Sequence, residues 1–260
     1  MGFFDVTQIC AHLLTGIFTV FQWEAYYWVN KILCVILGPS YDAYVFITVL
    51  LAFNRFVLLC WSSREHQIFS KHGITCWCLA SFMIFASYSG VLATDNVYSF
   101  YSVYDYTWMD DLTFPWSKKR IEIVFYYCIS GIGLAWSIYI VIAISLLKHR
   151  STGSAARAKA NRKILLQAFV ITVYCTILNF LWYKGNVFFT PGKISNYVLS
   201  IMWIGNSGLS TFLCVIMSRR IRVKVVELLR LNRNTMTRVF VTNSGNKWVV
   251  RSSWKVNTSC

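Results

Sequence analysis

Two ionisable side chains stand inside sequence that is otherwise built for oil. From Ile32 to Trp61 nearly every residue is apolar or aromatic, and the only charges are Asp42 and Arg55. About twenty such residues cross the hydrocarbon core of a bilayer. Arg55 therefore falls at the far membrane face, where its long side chain reaches phosphates and water. Asp42 precedes it by thirteen residues, about 20 Å at the rise of a helix, in the middle to outer half of the membrane. An acid at that depth can contact a ligand, hold an ion or bond to a neighbouring helix. Protonated, it can also be a packed residue bonded to a facing hydroxyl or carbonyl. Tyr41 and Tyr44 share one helix face beside it, as a pocket wall or as packing.

Other polar groups lie along the apolar runs. Asn179 and Trp182 sit one turn apart near the outer end of a later run, and Trp182, Tyr183 and Trp203 suit interface anchors. Asn206-Ser207-Gly208-Leu209-Ser210-Thr211 is small and polar, which lets helices approach and bond across the contact, or bend. His12 reads as a packed or pore-facing histidine. Cysteines such as Cys76 and Cys78 have neither redox nor zinc-ligand spacing and read as apolar packing. No G-x-S-x-G, H-E-x-x-H, Walker or dinucleotide signature occurs. An enzyme is not expected, nor a metal or other cofactor.

The elements that must position these residues are membrane helices. Hydrophobic residues make up 57% of the chain and charged ones 13%, about half the charged share of a soluble domain, and mean hydropathy is +0.51. The pattern predicts an all-α membrane bundle at 1–217 with about six spans: 3–21, 32–61, 74–93, 121–147, 164–183 and 194–217. A Gly38-Pro39 pair predicts a bend or loosened turns in the second. Residues 218–230 alternate arginines with Ile221, Val225, Leu228 and Leu229, the pattern of an amphipathic membrane-surface helix. A basic, disordered tail is expected over 231–260. The net charge of +15 does not point to nucleic acid, because the basic residues gather in loops beside spans. Lysine and arginine place the 148–163 loop and the tail in the cytoplasm. Parity then puts the acidic, tyrosine-rich Thr94–Arg120 loop outside and the N-terminus inside. Membrane lipids are the partners that follow from composition.

Several residues resemble the signatures of seven-span G-protein-coupled receptors. Asn54-Arg55-Phe56 is similar to their Asp-Arg-Tyr motif. Trp77 looks like the tryptophan of their fourth helix. The run Asn206 to Cys214 is similar to their seventh-helix pattern, with Ser210, Thr211 and Cys214 replacing Asn, Pro and Tyr. The likeness covers roughly 3–230 and is nearest to nematode-type serpentine chemoreceptors, with classes x, t and v as candidates. It implies a small chemical cue bound among the outer helix halves, by Tyr41, Asp42, Tyr44, Asn179 and Trp182. It also implies a heterotrimeric G protein coupled through Asn54, Arg55 and Phe56, and hinge or packing roles for Trp77, Asn206, Ser207 and Ser210. The setting it implies is the plasma membrane, a sensory cilium included. With six spans the chain lacks the family's first helix. The usual bridge from the top of the Arg55 helix cannot form either: Cys34 is suitably placed, but the outer loop has no cysteine. A six-span transporter or channel subunit and a non-functional receptor remnant are the rival expectations.

Overall fold

The computed structural model describes residues 2–148, 155–185, 192–217 and 222–227, without the side chains of 146–148, 155–164, Ser210, Cys214 and Met217. Contacts divide the chain into two units, 1–217 and 218–260. In the first, six long helices stand among the described residues: α1 Gly2–Phe21, α2 Tyr27–Cys60, α4 Lys71–Ala93, α5 Ser117–Lys148, α6 Ala155–Lys184 and α7 Lys193–Met217. A short helix α3, Glu65–Ile68, joins α2 to α4. Among the described residues, α1, α2, α4, α5 and α6 hold stretches with the length and hydropathy to cross a membrane. Their surfaces are apolar, with Val20, Met83, Tyr126 and Leu166 more than half exposed. Water would penalise such faces and lipid would not.

α2 is the hub. It packs against α1, α4, α5 and α6, while α7 closes the circuit between α1 and α6. Two close approaches set its distance from its neighbours. A Cβ on Gly131 of α5 would stand 3.0 Å from Val45 Cγ1, and one on Gly38 would stand 3.4 Å from Leu92 of α4. α2 runs unbroken through Pro39. Proline has no N–H, so the carbonyl of Val35 loses its helical donor. The Ser89 hydroxyl of α4 donates to that carbonyl instead, at 2.9 Å.

Helices reach further than the hydropathy boundaries. α2 begins at Tyr27, so the loop expected over 22–31 shrinks to its first half. α4, α5 and α6 start at Lys71, Ser117 and Ala155, inside stretches expected to be loops. The 94–120 stretch is an antiparallel hairpin, β1 Ser99–Ser102 and β2 Thr107–Asp110, in the register Ser99↔Asp110 to Ser102↔Thr107. Tyr106 closes its turn at φ 56°. Asp105 Oδ2 accepts from the Ser102 hydroxyl at 2.8 Å, and its N–H donates back to that oxygen at 3.1 Å. Asp111 Oδ1 accepts from the Thr113 hydroxyl and N–H, which hold its carboxyl below the usual range. Acids expected to give this loop a charge are thus largely spent on shaping it.

In the second unit, residues 222–227 are helical and Val225 is half-buried. The rest of the expected amphipathic segment and the whole 231–260 tail lie outside the described residues, as do 149–154 of the basic loop.

Candidate functional site

Under the hairpin lies a cavity of about 300 Å³, walled by α2, α4, α5, α6, α7 and both strands. That is the lower end of the roughly 300–1,000 Å³ range of small-molecule sites. Four of the five expected ligand residues line it: Tyr41, Asp42, Asn179 and Trp182. Helical spacing brings the first two from α2 and the other two from α6. Tyr44 stands one layer behind. It is fully buried, stacked on Tyr41 with centroids 6.3 Å apart, and its hydroxyl receives the Cys175 thiol at 3.8 Å.

One wall is aromatic. Trp203 meets Trp182 edge-on at 4.9 Å and Tyr41 at 5.5 Å. Both tryptophans also suit membrane-interface anchors, Trp182 being an expected ligand residue as well; here both line the cavity and pack on one another. Asn179 Nδ2 donates to the Tyr41 hydroxyl at 2.5 Å and to the Cys175 carbonyl at 2.8 Å, fixing the ring between α2 and α6.

The lining also carries charge. Arg120, at the start of α5, pairs with Asp110 of β2 and donates to the Tyr88 hydroxyl at 2.9 Å. The Ser99 hydroxyl also donates to Asp110. Asp42 is 6% exposed, and its Oδ1 has no hydrogen-bond partner among the described residues. Its backbone carbonyl accepts from Tyr127 at 3.0 Å. Leaving an ionised carboxylate buried and unpaired costs several kcal/mol, which sets Asp42 apart from the other acids of the site. A second cavity, of about 530 Å³, lies between α4 and α5 and shares Asp42, Tyr88, Arg120 and Val124 with the first.

The hairpin is held over the cavity from several helices. Lys31 Nζ, buried in α2, donates to the carbonyls of Thr94 and Val97 at 2.5 and 2.6 Å. Asn30 Oδ1 accepts from the Tyr101 N–H at 3.1 Å. Thr19 of α1 bonds the Tyr101 hydroxyl at 2.9 Å, and Ser200 of α7 donates to the Tyr106 carbonyl at 2.7 Å. Cys34 is a buried free thiol packed with Leu92 and Val97. The tie from the top of α2 to the hairpin root is therefore an ammonium on two carbonyls, in place of the bridge that the outer loop, lacking cysteine, cannot form.

Sequence reasoning missed Arg120, Tyr88, Trp108 and Lys31. Arg120 is the last residue of the stretch expected as an outside loop; a helix starting at Ser117 brings it to the cavity. Lys31 sat at a span border, where lysine ordinarily reaches for water.

At the other end of α2, Asn54, Arg55 and Phe56 are all half-buried. Arg55 acts electrostatically on Tyr139 of α5. Here α2, α5 and α6 meet through Ala52, Ala135, Tyr139, Ile142 and Ala168. Trp77 of α4 packs edge-on to Phe53 at 6.5 Å. Along the α1–α7 seam, Gln8 Oε1 accepts from Trp203 Nε1 and from the Ser207 hydroxyl, each at 3.2 Å. His12, a turn along, lies edge-on to Trp203 at 5.4 Å. Asn206 is fully buried and its Oδ1 accepts from Cys175 Sγ at 3.3 Å. The Ser210 side chain lies outside the described residues. The polar residues that interrupted the first span, Asp5, Gln8 and His12, share one buried face.

Compared with known proteins, the chain matches one family model over residues 1–238, that described as serpentine type 7TM GPCR chemoreceptor Srt. No curated protein and no solved structure matches it.

Proposed function

The chain belongs to the serpentine chemoreceptor family Srt, a multi-pass membrane protein of the G-protein-coupled receptor type, and from that premise we propose how this bundle senses and signals. A small chemical cue occupies the cavity beneath the hairpin, against Tyr41, Asp42, Asn179 and Trp182. A heterotrimeric G protein docks at the opposite end of α2, around Asn54, Arg55 and Phe56. The observation that carries this reading is a single helix joining the two places. Asp42 lines the cavity, and Arg55 lies thirteen residues further along the same unbroken helix, about 20 Å away.

The coupling is a two-state bias. A cue that packs α2 against α6 through Tyr41 and Asn179 changes how the inner end of α6 sits beside Arg55. There the contact rests on Ala52 and Ala168, side chains small enough to slide past one another. Opening of that end exposes Arg55 to the G-protein α-subunit, with the basic stretch after α5 beside it. The cue shifts this equilibrium only by its differential affinity for the two states. Asn206 and Ser207 serve as the packing seam of α7, with Trp77 as a further helix contact. The receptor works at the plasma membrane, a sensory cilium included.

Arg55→Ala is the test. Cue-dependent nucleotide exchange on the G protein should vanish while the receptor still reaches the cell surface. Unchanged exchange discards the assignment, and cue-evoked ion flux through proteoliposomes of the purified chain would favour a channel instead.

A further inference from the structure

The charges in the cavity are not equally engaged. Arg120 is held by Asp110 and by the Tyr88 hydroxyl, which leaves only its Nε without a partner among the described residues. Asp110 in turn receives Ser99 as well as Arg120. Asp42 is the group left over: 6% exposed, with an oxygen that no described donor reaches, on the wall of both cavities. An incoming carboxylate would have to compete with Asp110 for Arg120. An incoming cation finds Asp42 unoccupied. The rest of the lining suits a cation's apolar stem, because Tyr41, Trp182 and Trp203 contribute to it and pack on one another, and aromatic rings attract ammonium groups as well as hydrocarbon.

From this uncommitted carboxylate in a cavity also lined by aromatic rings, we infer that the cue is a small organic amine, bound as its ammonium ion by Asp42. Its hydrocarbon part lies among Tyr41, Trp182 and Trp203. The inference rests on the receptor reading only in taking this cavity as the cue site. The Arg120–Asp110 pair stays intact in the bound state and serves as the polar roof beneath the hairpin. A neutral or acidic analogue of the same shape leaves the buried carboxylate unpaired, and that supplies discrimination against it.

The test uses the full chain, purified in lipid nanodiscs without G protein, and two matched sets of probes: phenethylamine, phenethyl alcohol and phenylacetate, then hexylamine, hexanol and hexanoate. Ligand-dependent shifts in thermal midpoint give the affinities. The amine of at least one set should bind at least tenfold more tightly than its alcohol and its acid. Asp42→Asn should weaken the amine about thirtyfold, the loss expected for a bond to a charged group, and leave the alcohol unchanged. Asp42→Glu should retain most of the amine affinity. The wild-type comparison stands even if a variant fails to fold. Equal binding of amine and alcohol overturns the inference, as does preference for the acid, which would make Arg120 the anchor. So does amine binding that survives Asp42→Asn, or no response to either amine at millimolar concentration. A midpoint raised by sodium chloride over the N-methylglucamine salt, with no further rise on adding amine, would assign Asp42 to a metal ion instead. Because no G protein is present, failure here leaves the signalling proposal to stand or fall on Arg55.

Discussion

The two ends of α2 are assembled by different means. Around the cavity, each element is tied to the next by a named donor and acceptor: Lys31 to Thr94 and Val97, Asn30 to Tyr101, Arg120 to Asp110, Ser200 to Tyr106. Around Arg55, the same helices meet through Ala52, Ala135, Ile142, Ala168 and the ring of Tyr139, with Ala52 fully buried. Directional bonds in a low-dielectric setting fix one geometry and penalise departures from it. Contacts between small side chains give close approach with less to hold one register over the next. In the mechanism we propose, the outer end keeps its shape and the inner end takes a second one.

The sharpest way to break this contrast is at Lys31. Lys31→Met strands two carbonyls where an ammonium now serves both, and should cost about 3 kcal/mol. The check is the thermal midpoint of the purified chain, together with proteolysis of the hairpin. The inner end should be untouched, so G-protein nucleotide exchange without ligand should not rise. Next is Ala52→Leu, an overpacking change costing roughly 1–3 kcal/mol. It should force α6 off α2 and raise ligand-independent nucleotide exchange while leaving the outer cavity's affinities alone. A smaller effect is expected from Asp110→Asn. The pair it weakens is partly exposed, at 15% for Arg120 and 25% for Asp110, so about 1 kcal/mol is the scale after solvent screening. A double-mutant cycle with Arg120→Gln would measure the coupling. Smallest is Ser89→Ala, which removes one interhelical hydrogen bond, about 0.6 kcal/mol in a membrane setting, read as a small drop in thermal midpoint.

The same contrast governs how much the sequence disclosed. Apolar runs marked the helices of both ends, because burial in lipid needs only composition and length. Asp42, Tyr41, Asn179 and Trp182 were legible as polar or aromatic residues in the outer parts of apolar runs; that they line one cavity was not. The hairpin was not. Its strands have four residues each, and the Val103–Tyr106 turn lacks the Asn-Gly or Asp-Gly pair that betrays a tight turn. Trp203 looked like a membrane anchor because its partner, Trp182, comes from a distant segment. Arg120 and Lys31 were hidden by position: at a span border, sequence alone does not say whether a cation turns to water or into the bundle.

Pro39 carries a consequence for how the protein is made. Until α4 is made, the Val35 carbonyl lacks the donor that Ser89 supplies, and lipid offers none. α4 is the next long helix in the chain after α2, so its pairing with α2 would relieve the defect before the later helices exist. A helix that packs chiefly on α2 thereby becomes, after α1, the next companion that α2 requires in biogenesis.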